Sequence, residues 1–172
     1  MPFTIPHKGL AMPLCETVTI AKKPFNPEVT LRSFREANLS AGAIVSFVGQ
    51  VRATSDGRQV HALTLEHYPG FTEQEISKIV ENAKSNWPLS GVCIIHRVGR
   101  LLPGDPIVFI AAAAAHRRAA FDSVDYLMDY LKSEAPFWKC EETPIDRRWI
   151  SPKQQDHKDK ERWRELIMDT DF

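Results

Sequence analysis

The chain has 172 residues, 43% of them hydrophobic, and its 22 Lys plus Arg balance 22 Asp plus Glu. That length and apolar content suit one globular domain with a full core, and a formal net charge of zero excludes the broad basic field that recruits nucleic acid or an anionic membrane. No segment reaches about 18 consecutive apolar residues, and no apolar h-region follows the first basic residue, so a soluble cytoplasmic protein is expected.

Residues 1–27 carry Pro2, Pro6, Pro13, Pro24 and Pro27 and read as an extended arm with one short strand. A short helix is expected near 28–38. Ala43-Ile-Val-Ser-Phe-Val-Gly-Gln-Val-Arg52 is β-branched and largely apolar, and the turn Ser55-Asp56-Gly57 separates it from a second strand over Val60 to Tyr68. The two read as a hairpin. After Pro69-Gly70, Thr72 and Glu75 form a capping-box pattern that opens a helix with Ile76, Ile79, Val80, Ala83 and Trp87 at helical spacing, ended by Pro88. Val92 to Val98 is a strand, and Pro103-Gly104-Asp105 turns the chain into another at about 107–115. Local preferences conflict there: Ala111 to Ala115 favour helix, whereas Ile107-Val-Phe-Ile110 favours strand, and strand is expected. A helix over about 117–134 carries the stripe Phe121, Val124, Met128 and Leu131, and Pro136 stops it. Short strands near 137–142 and 147–150 precede a charged, helical tail over 152–172 with Trp163 and Leu166. Strand pairs mixed with isolated helices indicate an α+β fold with a mostly antiparallel sheet, its main domain spanning 28–151.

Three cysteines, Cys15, Cys93 and Cys140, are an odd number at wide spacing. They suit neither a disulfide framework nor a metal pair, so reduced thiols are expected. His61 and His67 share a strand face at a separation that is not a metal-ligand spacing, and no metal site is expected.

Candidate chemistry gathers in the last third of the domain. His116 and Arg117 fall at a helix start, where free N–H groups and the dipole already favour an anion; the plainer alternative is exposed basic residues at a helix end. Lys132 borders the apolar stripe, where partial desolvation makes an amine nucleophile or base, or it is a lysine whose stem lies along the helix end. Lys139 lies beyond the Pro136 break, so a chain that leaves the helix and returns as a strand brings both ammonium groups to one pocket. Phe137 and Trp138 supply a wall or join the core. Cys140 reads as a reactive or, by default, a buried structural thiol, and Arg52 as a ligand contact or an edge-strand charge.

Six strings go further. Phe47-Val-Gly-Gln-Val-Arg52, Leu63-Thr-Leu-Glu-His-Tyr-Pro-Gly70, Ile95-His-Arg-Val-Gly99, Pro103-Gly-Asp105, Ala115-His-Arg117 and Met128-Asp-Tyr-Leu-Lys132 through Ala135-Pro-Phe-Trp-Lys139 closely resemble the large, catalytic subunit of molybdopterin synthase. The resemblance covers about 40–150; residues 1–27 and the tail after 151 match weakly. It implies an α/β hammerhead-type fold and conversion of cyclic pyranopterin monophosphate to molybdopterin. The two sulfurs would come from the C-terminal Gly-Gly thiocarboxylate of a small ubiquitin-like partner, with no resident cofactor, in a heterotetramer built on a homodimer of large subunits.

The resemblance also implies roles. Lys132 and Lys139 match the catalytic lysines, His116 and Arg117 the substrate-binding pair, and Arg52 a contact to the substrate phosphate. Gln50, Val51, Cys140 and Glu141 fall where further substrate contacts are expected, with Gln50 at a position often occupied by lysine, and Arg148 is a secondary anion-binding candidate. Part of the pocket would come from the second copy. Competing readings are a non-catalytic subunit that binds a phosphorylated pterin or nucleotide and a partner tail, and, more remotely, a phosphate-ester hydrolase using His116.

Overall fold

The structure, a computed structural model, describes residues 17–151 and 153–168. In chain order the elements are β1 (Val18–Ala21), α1 (Pro27–Ala37), β2 (Ala43–Gln50), β3 (Thr54–Ser55), β4 (Arg58–Gln59), β5 (Ala62–His67), α2 (Phe71–Asn86), β6 (Leu89–Arg97), β7 (Gly99–Leu101), β8 (Pro106–Ala114), α3 (Arg117–Ser133), β9 (Phe137–Glu142), β10 (Arg147–Ile150) and α4 (Gln154–Met168). One four-stranded sheet has the order β1-β6-β8-β2 and the other β10-β9-β5-β7, with β3–β4 a separate two-stranded ribbon. The β1–β6 pairing is parallel and the other described pairings are antiparallel, giving the expected α+β class.

The expected hairpin between the strands near 43–52 and 60–68 does not form. β2 pairs with β8 from Ala43↔Ala114 onward, whereas β5 lies between β9 and β7 in the other sheet. The turn at Ser55-Asp56-Gly57 instead closes only the small β3–β4 ribbon. Asp56 (φ 49°) and Gly57 (φ 76°) both occupy the left-handed region, as a two-residue type I′ turn requires. Each longer strand pairs where its apolar face is buried, and that partner is distant in sequence.

β8 explains the alanine run. It is central in its sheet, and Val108 to Ala114 are all buried, with Phe109 and Ile110 through Ala114 at 0% exposure. Small side chains let helices approach both faces. On one side Phe34 of α1 and Phe25 cover Phe109, Ala111 and Ala113. On the other, Ile76, Ile79, Val80 and Ala83 of α2, Val124, Leu127 and Leu131 of α3, and Trp163 of α4 pack over Ile94, Ile110 and Ala112. Each fully buried large aliphatic here is worth about 1.5–3 kcal/mol of transfer free energy.

Local signals set the helix ends. Asn26 Oδ1 accepts the Val29 N–H (3.0 Å) and Pro27 begins α1. The box that opens α2 sits two residues earlier than expected: Glu73 accepts the Gly70 N–H at 2.7 Å, and Thr72 lies inside the helix, where its hydroxyl accepts from Tyr68 N–H and donates to Pro136 C=O. In α3 the stripe holds except for Phe121, which is 57% exposed. α4 docks on α3 through Trp163, whose Nε1–H donates to Asp129 Oδ2 at 2.8 Å. Arg162 donates to the same oxygen (2.8 Å) and to Asp125 (2.7 Å).

Residues 1–16 of the expected arm, with Cys15, lie outside the described residues. Cys93 is wholly buried on β6, and Cys140 is a buried free thiol. No helix among the described residues is long and apolar enough to cross a membrane.

Candidate active site

Where the two sheets meet the ends of α3 and α4 lies a cavity of about 410 Å³. β2 and the residues after it bring Gln50, Val51 and Arg52; α3 brings Met128 and Lys132; β9 brings Lys139 and Glu141; β10 brings Arg148. The chain that stops at Pro136 and returns as β9 does bring both lysines to one pocket. Alternation along β9 selects what enters it, because successive side chains of a strand point to opposite faces. Lys139 and Glu141 face the cavity, and Cys140 between them turns to the other face, beside Trp149 on β10. That geometry takes Cys140 out of the cavity's lining.

His116 and Arg117 do not line the cavity either. His116 is the N-cap of α3 and Lys132 stands near its C-terminal end, sixteen residues later, a helical rise of about 24 Å. Both basic residues are exposed.

The cavity's charges are mostly paired. Five cationic side chains (Arg52, Lys132, Lys139, Arg148, Lys153) face three carboxylates (Asp56, Glu141, Asp156). Arg148 donates to Glu141 (3.0 Å) and to Asp56 (2.9 Å), Lys153 stands 3.5 Å from Asp56, and Lys132 donates to Asp156 at 3.2 Å. Among the described residues Arg52 and Lys139 have no ion pair, so they are the two cations left over for an anionic ligand. Arg148, expected as an anion contact, is occupied in neutralising Glu141, a carboxylate whose side chain is only 8% exposed.

The two lysines differ, and Lys132 takes the plainer of its two readings. The Lys132 side chain is half exposed, whereas Lys139 is the desolvated one. Burial, and then the neighbouring Lys132 ammonium, hold Lys139 below the ordinary lysine value, with Asp156 opposing. A lysine brought toward neutrality is the better base or nucleophile, and a paired one is the better fixed charge.

Among the lining residues not picked out from the sequence, His96 and Asp156 bear most on the chemistry. His96 on β6 is 5% exposed and stacks on Phe137 at 3.8 Å between ring centroids. Its Nδ1–H donates to the Arg97 carbonyl (2.9 Å), since a carbonyl can only accept, which leaves Nε2 as the bare nitrogen. Burial drives its pKa down to about 3, so it stays neutral. Asp156, in the first turn of α4, sits in a charged tail where no local pattern distinguishes it from its neighbours. Among the described residues no group of three or more His, Cys, Asp or Glu side chains is placed to hold a metal ion.

Comparison with known proteins places this architecture. Residues 20–134 match the family model described as MoaE protein. The molybdopterin synthase catalytic subunit of Pseudomonas aeruginosa is 46% identical over 148 residues, 86% of this chain and 99% of that protein. The Escherichia coli protein of the same name is 50% identical over 122 residues, 71% of this chain and 81% of that one. Among solved structures, the molybdopterin biosynthesis MoaE protein from Burkholderia ambifaria superposes with a TM-score of 0.73 at 44% identity, over 85% of this chain and 96% of that chain. Molybdopterin synthase from Staphylococcus aureus gives 0.72 at 29% identity, over 79% and 98%.

Proposed function

This chain belongs to the MoaE protein family, and from that premise we propose how its cavity carries the reaction. It is the large, catalytic subunit of a molybdopterin synthase, and it converts cyclic pyranopterin monophosphate to molybdopterin in molybdenum cofactor biosynthesis. The sulfurs arrive on the C-terminal Gly-Gly thiocarboxylate of a small ubiquitin-like partner. We place the reaction in the cytoplasm, because a phosphorylated substrate does not cross a lipid bilayer unaided.

One observation carries the assignment of roles: Lys132 and Lys139 converge on a single cavity that holds two more cations than carboxylates. Arg52, without an ion pair among the described residues, takes the substrate phosphate, and Gln50 and Val51 line its approach. Lys139, desolvated, is the proton-transfer group. Lys132 stabilises negative charge as the thiocarboxylate attacks. Glu141, held by Arg148, shapes the wall. His116 and Arg117 serve a second copy's cavity, since α3 carries them about 24 Å from the lysines of their own chain.

The test is to mix the purified chain with thiocarboxylated small partner and cyclic pyranopterin monophosphate and measure molybdopterin as its fluorescent oxidised derivative. Product from the wild type, and none from Lys132→Ala or Lys139→Ala, is expected. Near-wild-type turnover by Lys132→Ala removes that residue from the mechanism. A wild type that binds its partner but makes no product overturns the whole reading in favour of a non-catalytic binding subunit.

A further inference from the structure

The carboxylate facing Lys132 comes from the helix that packs over the end of α3, and its two oxygens have separate duties. Asp156 Oδ2 accepts the backbone N–H of Lys153 at 2.8 Å, closing the first turn of α4 as residues at that position do. Oδ1 accepts from Lys132 Nζ at 3.2 Å. One carboxylate therefore ties the helix start to the amine. The Asp156 side chain is 16% exposed, so the pair is shielded from water on most sides.

The helix that carries it is firmly seated. Trp163 is 4% exposed, meets Trp87 and Tyr126 edge-on, and donates to Asp129. Lys160 bridges to Glu134 just beyond the end of α3. Asp156 is thus presented from a rigid element, as a group that sets the direction of a flexible side chain must be. A lysine has four rotatable bonds and a point charge at the end, so without a fixed acceptor its ammonium would sample the solvent side as well as the cavity side. Asp156 also lies within the fields of both lysines. It is a counter-charge to two like charges in a cavity with cations in excess.

We propose that Asp156 is a positioning residue for the sulfur-transfer reaction, holding the Lys132 ammonium aimed at the reacting centre. The proposal rests on the assignment of Lys132 as a catalytic group. It adds the C-terminal helix to the working parts of the site, although the family match at 20–134 stops short of it. Asp156 acts through Lys132 and does not itself bind substrate. Removing its charge makes the cavity more positive, so phosphate binding should hold or tighten while turnover falls. A residue that merely kept the fold together would raise KM and lower kcat together.

The experiment is steady-state kinetics of the full chain with thiocarboxylated partner, for wild type, Asp156→Asn, Asp156→Ser, Asp156→Glu and Lys132→Ala, with a melting curve for each. Asn and Ser keep an oxygen for the Lys153 N–H and drop the charge. Both should lose kcat roughly ten- to hundredfold, the scale of a misplaced catalytic group, with KM for the pterin unchanged or lower. Asp156→Glu should recover most of the loss. Asp156→Asn with kcat within about twofold of wild type, beside an inactive Lys132→Ala, overturns the proposal and leaves the lysine assignment standing. A rise in KM without loss of kcat overturns it too, as does a kcat loss that follows a collapsed melting midpoint and is not restored by Glu. An active Lys132→Ala removes the underlying reading and this proposal with it.

Discussion

Replacing Asp129 by alanine tests how α4 is held, and the structure sets the size of the effect. Asp129 Oδ2 accepts from Trp163 Nε1 and from Arg162, both at 2.8 Å. The two bonds are unequal. The Arg162 side chain is 46% exposed, so its ion pair contributes at most about 1 kcal/mol. The indole N–H is buried, and leaving it without an acceptor costs about 1–3 kcal/mol. A total near 2–3 kcal/mol lowers the melting midpoint of a chain this long by about 5–10 °C. Differential scanning calorimetry measures it, and the tryptophan emission should shift red as Trp163 meets water. Asp125→Ala is the control, because Asp125 touches only the exposed side of Arg162 and should cost less than about 1 kcal/mol. Equal losses from the two substitutions would refute the reasoning, since the buried indole would then not be the deciding group.

Three further outcomes are expected. Leu127→Ala, at a position with 0% exposure between α2 and the sheet, should cost about 2–5 kcal/mol in denaturant unfolding, and less than about 1 kcal/mol would mean the core is not packed as described. His96 has a folded pKa of about 3 against 6.5 unfolded, so the unfolded chain takes up the proton first on acidification. Stability associated with it is fully present above about pH 6.5 and declines toward pH 3, and His96→Asn should flatten the midpoint-against-pH curve over that window. Lys139 is likewise depressed, so between its folded value and 10.5 the unfolded chain binds more protons and stability rises with pH. In NMR titration of the ¹³C-labelled lysines, the resonance missing from Lys139→Met should titrate below the others, and an ordinary midpoint would contradict the burial.

Much of this was legible from the chain, for physical reasons that differ by element. α3, β9 and β10 follow from local rules: a helical stripe ended by Pro136, and short alternating runs beyond it. β8 required weighing alanine propensity against a β-branched start, and burial on both faces settled it for strand. The false hairpin marks the limit, because sheet partners are chosen by long-range burial and chain adjacency is a weak guide to them. The same limit hid part of the site. Lys132 and Lys139 were visible as cations flanking a helix break, and strand alternation could have turned Cys140 away once the phase of β9 was set by Lys139. Asp156 sits in a charged run with no local mark, and its meeting with Lys132 needs α4 folded back over α3. His96 lies in a run of core residues, where nothing local marks it as facing a cavity. Lys139 as the drier lysine likewise needs the finished cavity.

The length of α3 has a consequence for inheritance. On the proposed assignment of His116 and Arg117 to a second copy's cavity, each cavity in a paired assembly draws its parts from two chains. Two damaged alleles, one altered at His116 and one at Lys132, would then meet in mixed dimers with one doubly broken site and one intact site. Random pairing makes half the dimers mixed, and a cell carrying both alleles recovers up to about a quarter of full activity where either alone has none.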